Sequence, residues 1–268
     1  MLPKNEIERG LTTAVVGRKL FLFDTIDSTN ACARALAEAE VDEGAVVVSE
    51  YQTEGKGRLG RTWDAPAGEN LLFSVVLRPR IERGRVGLLT LSMALAVARA
   101  LEHECRCTVQ TKWPNDVLID GKKVCGILIE NSLEGDRIAY SVVGIGINVN
   151  QRTFPSHLSG RATSLASALG QSWNRPALLR SLLTELDKQY RHIHESIHDI
   201  VPEWKKRSPM LGGTYELIQG DRRIRGKALD VQDDGALIME VDGSKAAFYA
   251  GDVLVADADA HSPTPRRS

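Results

Sequence analysis

The chain has 268 residues, a formal net charge of −1 at pH 7 and a charged fraction of 26%. This length suits one large domain, or a large domain with a small one, and the balanced charge gives no bulk electrostatic case for binding nucleic acid or an anionic membrane. The N-terminus lacks the apolar segment of a signal peptide, and we predict no membrane-spanning run. The four cysteines lack metal-finger spacing and predict reduced thiols in a cytoplasmic protein: Cys32, Cys105, Cys107 and Cys125.

The first predicted elements are a strand at residues 20–23 and an alanine-rich helix at residues 31–39. Asp27-Ser28-Thr29-Asn30 stands between them. Ser28 or Thr29 suits the N-cap of this helix. The free N–H groups of a helix N-terminus also suit a polar ligand. From these residues alone, a plain cap and a ligand site remain alternatives.

A glycine-rich basic loop follows a predicted strand at residues 46–48. Its glycines alternate with cations and it ends in an aromatic residue: Gly55, Lys56, Gly57, Arg58, Gly60, Arg61 and Trp63. Glycine allows close backbone approach to a ligand, and converging N–H groups and cations suit a phosphate. We predict a nucleotide-binding loop in which Trp63 stacks on a base. It is neither a Walker loop nor a Rossmann fingerprint, because no G-K-[ST] follows and the glycines do not open an apolar helix.

The middle of the chain predicts a strand at 70–77, a buried helix at 86–103 and a short strand at 108–113. Pro114 then breaks regular structure in Lys112-Trp113-Pro114-Asn115-Asp116, which leaves three polar side chains beside the break. Asp120-Gly121 predicts a two-residue hairpin with Lys123 at its base. Glycines inside the next strand, at 138–149, indicate close approach by another group.

Helices are predicted at residues 163–169 and 176–200. The second contains His194-Glu195-Ser196-Ile197-His198, which matches the H-E-x-x-H pattern of zinc peptidases. A zinc hydrolase built on His194 and His198 is therefore a distant alternative. Against it, the motif lies at the polar end of a helix and no glycine turn with a third histidine follows.

Short strands punctuated by tight turns fill the C-terminal part, at residues 214–219, 222–230, 236–241 and 246–249. This spacing predicts a small β-barrel. We place a boundary near Ser208-Pro209, which divides the chain into a catalytic domain at 1–208 and a barrel at 209–257. The Pro- and Ser-rich segment at 258–268 predicts a disordered tail.

Five motifs resemble those of biotin protein ligases and occur in the same order. They are D-S-T-N at 27–30, the loop at 55–63, K-W-P-N-D at 112–116, K-V-C-G-I-L-I-E at 123–130 and G-I-G-I-N at 144–148. The resemblance runs from about residue 20 to residue 257. It implies an α+β fold of the class II synthetase/biotin-ligase type, with a mixed sheet, helices and a small C-terminal SH3-like β-barrel.

The resemblance also implies a reaction. Members of this family join biotin to ATP as biotinyl-5′-AMP and then transfer biotin to one lysine of a biotin carboxyl carrier protein. The implied activity is that of a biotin–[acetyl-CoA-carboxylase] ligase. Two anions must meet when a carboxylate attacks the α-phosphate, so the site must gather positive charge and fix in-line geometry. Mg²⁺ is expected on the triphosphate.

Residue roles follow from the resemblance. The ureido ring of biotin is assigned to Ser28, Thr29, Asn30 and Gln52. The carboxylate and phosphate are assigned to Arg58 and Lys123, and Lys123 neutralises the charge growing on the α-phosphate. The nucleotide is assigned to Trp63, Asn115 and Asn148, and Asp116 orients the acceptor lysine or accepts its proton. The remaining predicted ligand-binding residues are Gly55, Lys56, Gly57, Arg61, Lys112 and Gly146.

Two departures and several alternatives stay open. Family loops often have arginine where this chain has Lys56, so bidentate geometry is lost there. Fewer than thirty residues precede Ser28, so we expect the ligase-only type without a helix-turn-helix repressor domain. A lipoate ligase or octanoyltransferase is the main alternative, and a DNA-binding repressor is the weakest. Family members often dimerise, which leaves a homodimer open.

Overall fold

The computed structural model describes residues 1–255, in which a seven-stranded sheet forms the larger part. Its order is β1-β2-β3-β7-β6-β5-β4. The pair β1–β2 is parallel and the other pairs are antiparallel, so the predicted mixed sheet is confirmed. The strands are β1 Lys19–Ile26, β2 Ala45–Gln52, β3 Leu71–Leu77, β4 Gln110–Lys112, β5 Asp116–Ile119, β6 Lys122–Glu134 and β7 Arg137–Ile147.

Six α-helices accompany the sheets in the described part of the chain. They are α1 Lys4–Glu8, α2 Thr29–Glu38, α3 Val86–Cys105, α4 Leu165–Leu169, α5 Arg175–Glu195 and α6 Ile200–Arg207. The predicted helices at 31–39, 86–103 and 163–169 are confirmed with small shifts of their ends. Helix α3 packs against α5 and α6 and against the strands β4, β5 and β6.

We predicted that no run is apolar and long enough to span a membrane. By length and composition alone, this prediction was wrong for one helix. The helix Arg83–Cys105, which includes a 3₁₀ turn before α3, meets that test of length and hydropathy, and 67% of its most apolar window is buried inside the fold. Burial against neighbours on several sides explains why this helix is apolar nearly all round.

The single predicted helix at 176–200 is interrupted. Helix α5 ends at Glu195, Ser196 leaves the helical region at φ −145° and ψ 58°, and a 3₁₀ turn leads into α6. Pro202 gives the physical reason. Inside a continuous helix its ring would clash with the carbonyl four residues earlier, whereas the first turn of a new helix accepts proline.

A second, antiparallel sheet has the order β11-β10-β9-β8-β12. Its strands are β8 Thr214–Gln219, β9 Arg222–Val231, β10 Leu237–Val241, β11 Ser244–Phe248 and β12 Asp252–Val255. The four predicted strands are confirmed, and β12 was missed. Closure into a barrel is not shown, since β11 and β12 are the outer strands of the pairing order, and the closed barrel remains a prediction.

One hydrophobic cluster runs through both parts of the chain, from Leu2 to Val253. Trp113 joins them directly, because its buried indole Nε1 donates to the carbonyl of Gly235 at 3.0 Å. Helix α6 ends at Arg207 and β8 begins at Thr214. The proposed boundary between them stays a prediction, and the predicted tail at 258–268 lies outside the described residues.

Candidate active site

The glycine-rich loop folds back on itself after β2. Trp63 N–H donates to the carbonyl of Gly55 at 2.9 Å, and Gly57 N–H donates to the carbonyl of Arg61 at 2.7 Å. A Cβ at position 55 would lie 2.5 Å from the carbonyl oxygen of Trp63, so only glycine permits this closure. The loop is therefore a compact flap that carries its cations over the end of the sheet.

Trp63 packs against strands β6 and β7. A Cβ at Gly126 would come within 2.8 Å of its ring, and one at Gly146 within 2.5 Å. The close approach predicted for the glycines of the strand at 138–149 is thus confirmed. The approaching group is the protein's own indole at Gly146 and the side chain of Asn30 at Gly144. Lys123 Nζ stands 5.5 Å from the centre of the same ring, within the range of a cation–π contact. Trp63 Nε1 is buried and has no hydrogen-bond partner in residues 1–255.

Two lysines flank one carboxylate beside Trp63. Lys123 Nζ lies 2.6 Å from Asp116 Oδ1, and Lys112 Nζ lies 3.9 Å from Asp116 Oδ2. Strands β4 and β5 hold Lys112 opposite Asp116 in register. Burial lowers the pKa of the Lys112 ammonium, and Asp116 opposes that shift. The two predicted lysines and Asp116 therefore meet in one cluster.

Arg58 extends this cluster from the loop side. Its guanidinium donates to Asn115 Oδ1 at 3.0 Å and lies 3.7 Å from Asp252 Oδ1. Arg61 pairs with the other oxygen of Asp252 at 2.6 Å. Burial lowers the pKa of Arg58, and the carboxylates of Asp252 and Asp116 oppose the shift. The C-terminal sheet thus supplies the carboxylate that holds the basic loop.

The two predicted nucleotide-contacting asparagines are buried and anchored. Asn115 Nδ2 donates to the carbonyl of Ile127 at 2.7 Å, and Asn148 Nδ2 donates to the carbonyl of Thr163 at 3.0 Å. Each amide spans two chain segments at the edge of the cluster. Their part in nucleotide binding stays a prediction.

A polar group at the start of α2 lies at the other end of the site. Ser28 caps the helix, with Oγ accepting from Ala31 N–H at 3.5 Å. Gln52 Oε1 accepts from the N–H of Thr29 at 2.7 Å and lies 2.9 Å from the hydroxyl oxygen of Thr29. Asn30 lies behind Thr29 and donates to Glu130 Oε2 at 2.8 Å. The four predicted ureido residues therefore stand together, at the junction of α2 with the end of β2.

Comparison with known proteins decides the family. The sequence model of the Biotin/lipoate A/B protein ligase family matches residues 22–148. The bifunctional ligase/repressor BirA of Bacillus subtilis is 36% identical over 255 residues, covering 94% of this chain and 78% of that protein. The biotin–[acetyl-CoA-carboxylase] ligase of Mycobacterium tuberculosis is 32% identical and covers 92% of this chain and 94% of its own.

A solved structure agrees with these relatives. The biotin protein ligase from Aquifex aeolicus in complex with biotin and ATP has a TM-score of 0.76 and 31% identity, covering 88% of this chain and 98% of that chain. The chain belongs to the biotin protein ligase family. Its α+β fold and the five-motif resemblance are confirmed.

In this biotin protein ligase family member, the H-E-x-x-H match lacks the helical geometry of a two-histidine metal site. Helix α5 ends between its two histidines, so His194 and His198 do not share one helix face. Both ring nitrogens of His194 are engaged, Nδ1 with the carbonyl of Tyr190 at 2.9 Å and Nε2 with Arg80 N–H at 3.2 Å. Residues 1–255 hold no group of three or more His, Cys, Asp or Glu side chains placed to bind a metal.

A substitution at His198 and a metal analysis test whether the H-E-x-x-H motif binds zinc. We expect His198→Ala to change ligase activity by less than about twofold, because the residue touches none of the cluster around Lys123. Elemental analysis of the purified protein should find zinc well below one ion per chain. Stoichiometric zinc would restore the hydrolase alternative.

Lys56 is the predicted cation that the structure leaves apart. It is exposed on the loop, pairs through its backbone with Thr62, and makes no ion pair within residues 1–255. The residues that sequence reasoning missed are Asp252, Ser74 and Glu130. Asp252 gave no signal, since an acid after a turn glycine is ordinarily solvated. Ser74 was detectable as the polar residue inside the apolar strand β3.

We expect the glycine-rich loop to be mobile without ligand and ordered when biotin or the adenylate is bound. Trypsin should cut after Lys56, Arg58 or Arg61 in ligand-free protein, and biotin or the adenylate should slow this cleavage about tenfold or more, because a ligand under the flap adds contacts that the open loop lacks. Cleavage after Arg222 or Arg223, at the exposed start of β9, is the control and should not change. Equal loop cleavage with and without ligand would remove the flap from the mechanism.

Proposed function

We propose that this protein is a biotin–[acetyl-CoA-carboxylase] ligase whose adenylation site is the cluster of Arg58, Lys112 and Lys123 beside Trp63. The observation that carries the assignment is the convergence of these three cations, from three separate chain segments, on one side of the sheet. Relatives named as such ligases, and solved biotin protein ligases with biotin and ATP, support it. The enzyme class is biotin–[biotin carboxyl-carrier protein] ligase.

The first step joins two anions. A carboxylate oxygen of biotin attacks the α-phosphorus of ATP in line, the bond to the β-phosphate oxygen breaks, and pyrophosphate leaves. Cations fixed beforehand lower the barrier because they need not reorganise as charge develops. Lys123 is placed to meet the α-phosphate charge. Arg58, on the loop, offers a planar fork for the carboxylate and a phosphate oxygen.

The second step transfers biotin to a carrier lysine. The neutral ε-amine attacks the carbonyl carbon of the mixed anhydride, AMP leaves, and one amine proton is lost. Asp116 lies between Lys112 and Lys123 and is the carboxylate proposed to orient this amine or accept its proton. The flap formed by the glycine-rich loop would shield the hydrolysable anhydride from water.

The remaining contacts follow from position. Ser28, Thr29, Asn30 and Gln52 are proposed to form the site of the ureido ring, at the start of α2. Trp63, Asn115 and Asn148 are proposed to contact the nucleotide, with Gly55, Lys56, Gly57, Arg61 and Gly146 forming the surrounding wall. The uncommitted indole N–H of Trp63 supports ligand contact, because a buried donor without a partner is costly unless a ligand satisfies it.

Mg²⁺ is proposed to arrive with ATP. Asp116 and Asp252 are the acidic side chains of the cation cluster described above, and residues 1–255 hold no ready-made set of metal ligands. Mg²⁺ usually keeps several waters and binds through substrate phosphates with one or two carboxylates. The donor set therefore fits an ion held mainly by the triphosphate, whose chemistry is to neutralise phosphate charge.

The proposed protein partner is a biotin carboxyl carrier protein of acetyl-CoA carboxylase. The cytoplasm is the proposed compartment, because ATP is a substrate and all four cysteines are free thiols, as in a reducing environment. We propose no nucleic-acid partner on the basis of the −1 net charge.

Ligand titration separates this function from lipoate ligation, which the family model's description also covers. Isothermal titration should show biotin binding and no measurable heat with lipoate, because the polar group at Thr29 and Gln52 has no partner on a dithiolane ring. Lipoate binding with no biotin binding would overturn the biotin assignment.

A further inference from the structure

A chain of five polar side chains runs inward from the proposed ureido pocket. Gln52 Oε1 contacts Thr29, and Thr29 Oγ1 lies 2.8 Å from Ser74 Oγ. Ser74 Oγ lies 2.6 Å from Asn30 Oδ1, and Asn30 Nδ2 lies 2.8 Å from Glu130 Oε2. Ser74 is fully buried on β3. Because hydroxyls both donate and accept, the direction of each bond depends on its neighbours.

The inner end of this chain has a fixed direction. Asn30 Nδ2 faces the carboxylate of Glu130 and, at 3.4 Å, the carbonyl of Leu128, and both of these groups only accept. The amide nitrogen must therefore point toward them, and Oδ1 must point toward Ser74. Since Oδ1 only accepts, the 2.6 Å contact requires Ser74 to donate its single hydroxyl proton to Asn30.

This direction propagates outward to the pocket. With its proton committed to Asn30, Ser74 can meet Thr29 at 2.8 Å only as an acceptor. The single Thr29 hydroxyl proton has a second possible acceptor, Gln52 Oε1 at 2.9 Å. Gln52 Oε1 already accepts from the Thr29 N–H, whereas the buried Ser74 oxygen has no other donor within residues 1–255, so the Thr29 hydroxyl proton goes to Ser74. Gln52 Oε1 then accepts one hydrogen bond, from the backbone N–H of Thr29. Thr29 Oγ1 and Gln52 Oε1 are then both left with lone pairs for a ligand in the proposed ureido pocket.

We propose that Ser74 is a specificity-determining positioning residue, which turns Thr29 and Gln52 into hydrogen-bond acceptors for the N–H groups of the ligand. This rests on the proposed placement of the ureido ring beside Thr29 and Gln52. A cyclic urea carries two N–H donors, and a pocket wall with only acceptors recognises them and rejects rings that lack them. Asn30 and Glu130 set the direction from behind, and Asn30 acts through Ser74 rather than on the ligand.

Ser74→Ala tests this direction. Without an acceptor behind it, the Thr29 hydroxyl turns its proton to Gln52 Oε1 and occupies the lone pair that the ligand needs. The measurement is the ratio of dissociation constants for biotin and for an analogue in which one ureido N–H is replaced by CH₂. The wild-type protein should prefer biotin by about 100-fold or more, and Ser74→Ala should narrow this preference about tenfold.

Ser141→Ala is the matched control. Ser141 is also a fully buried strand serine, and its hydroxyl donates to Asn131 Oδ1 at 2.7 Å, outside the pocket. This variant loses a comparable buried hydrogen bond, and its biotin preference should equal that of the wild type. Thermal melting of both variants checks that the ratio is measured on folded protein.

A second variant keeps the proposal testable if Ser74→Ala does not fold. The exchange Asn30→Asp with Glu130→Gln leaves an acceptor facing Ser74 and a donor–acceptor pair behind it. The biotin preference should then stay within about threefold of wild type. Asn30→Asp alone places two carboxylates against each other, and this variant should lose the preference for biotin.

The outcomes distinguish a failure of the proposed role of Ser74 from a failure of the proposed function. If the folded Ser74→Ala protein weakens biotin and the analogue equally, Ser74 only supports the fold and the proposal is overturned. Loss of preference in the folded double exchange would also overturn it. If the wild-type protein fails to bind biotin, the proposed function fails. If the wild-type protein prefers biotin and Ser74→Ala has the same ratio of dissociation constants, only the proposed role of Ser74 is refuted.

Discussion

Lys123→Ala is expected to lower the rate of adenylate formation about 10²–10³-fold while biotin binding stays near wild type. The side chain stands 2.6 Å from Asp116 and over the ring of Trp63, where the α-phosphate is proposed to lie. A positioned cation lowers the barrier because negative charge grows there in the transition state. The substitution also leaves Asp116 without its nearest cation, which adds repulsion toward the phosphate. Pyrophosphate release measures the rate, and titration calorimetry measures biotin affinity.

Lys122→Ala is the matched control for this experiment. Lys122 is adjacent in the sequence, exposed on the same strand, and points to the opposite side of the sheet because side chains alternate. Its loss should change the rate by less than about twofold. If Lys123→Ala also released pyrophosphate at nearly the wild-type rate, Lys123 would be an ordinary solvated lysine at a hairpin base.

Arg58→Gly is expected to impair retention of the adenylate more than its synthesis, so that biotinyl-5′-AMP escapes at least about tenfold faster than from wild type. Arg58 is the loop cation that reaches both Asn115 and Asp252, and it links the flap to two other parts of the chain. A guanidinium can hold a carboxyl oxygen and a phosphate oxygen at once. Escaped adenylate acylates exposed lysines on any protein, so a bystander protein mixed with the variant, biotin and ATP should become biotinylated.

Leu59→Gly controls for the added flexibility of a glycine in this loop. Leu59 is exposed and adopts φ 54°, which glycine accepts readily, and the substitution removes no charge. This control should leave the bystander unmodified. If Arg58→Gly also left it clean while biotinylating the carrier normally, with only a higher ATP requirement, Arg58 would attract ATP by charge and the clamp would be refuted.

Local patterns in the sequence predicted much of the fold. Asp120-Gly121 was read as a two-residue hairpin, and both residues adopt positive φ, as the favoured hairpin turn requires. The long buried helix followed from its apolar spacing. The break between α5 and α6 was missed because the predicted helix was extended to residue 200, past Ser196, where the helical backbone ends.

The candidate site was predictable where residues with suitable chemistry are close together in the sequence. The basic loop, the polar residues before α2 and the lysines near Pro114 each carried a signal, and the structure brings most of them together. What the sequence could not supply was contact between distant segments. Asp252 lies about 190 residues from Arg61 in the chain, and Ser74 stands 44 residues from Asn30. No local pattern encodes such pairings, because packing of the two sheets and of α2 creates them.

Carrier modification tests the central claim most directly. The purified protein is incubated with biotin, ATP and a biotin carboxyl carrier domain, and the intact mass of the carrier is measured. The account predicts one added biotinyl group per carrier, dependent on ATP and absent when the acceptor lysine is replaced by arginine. A carrier of unchanged mass, with biotin, ATP and Mg²⁺ all present, would contradict it.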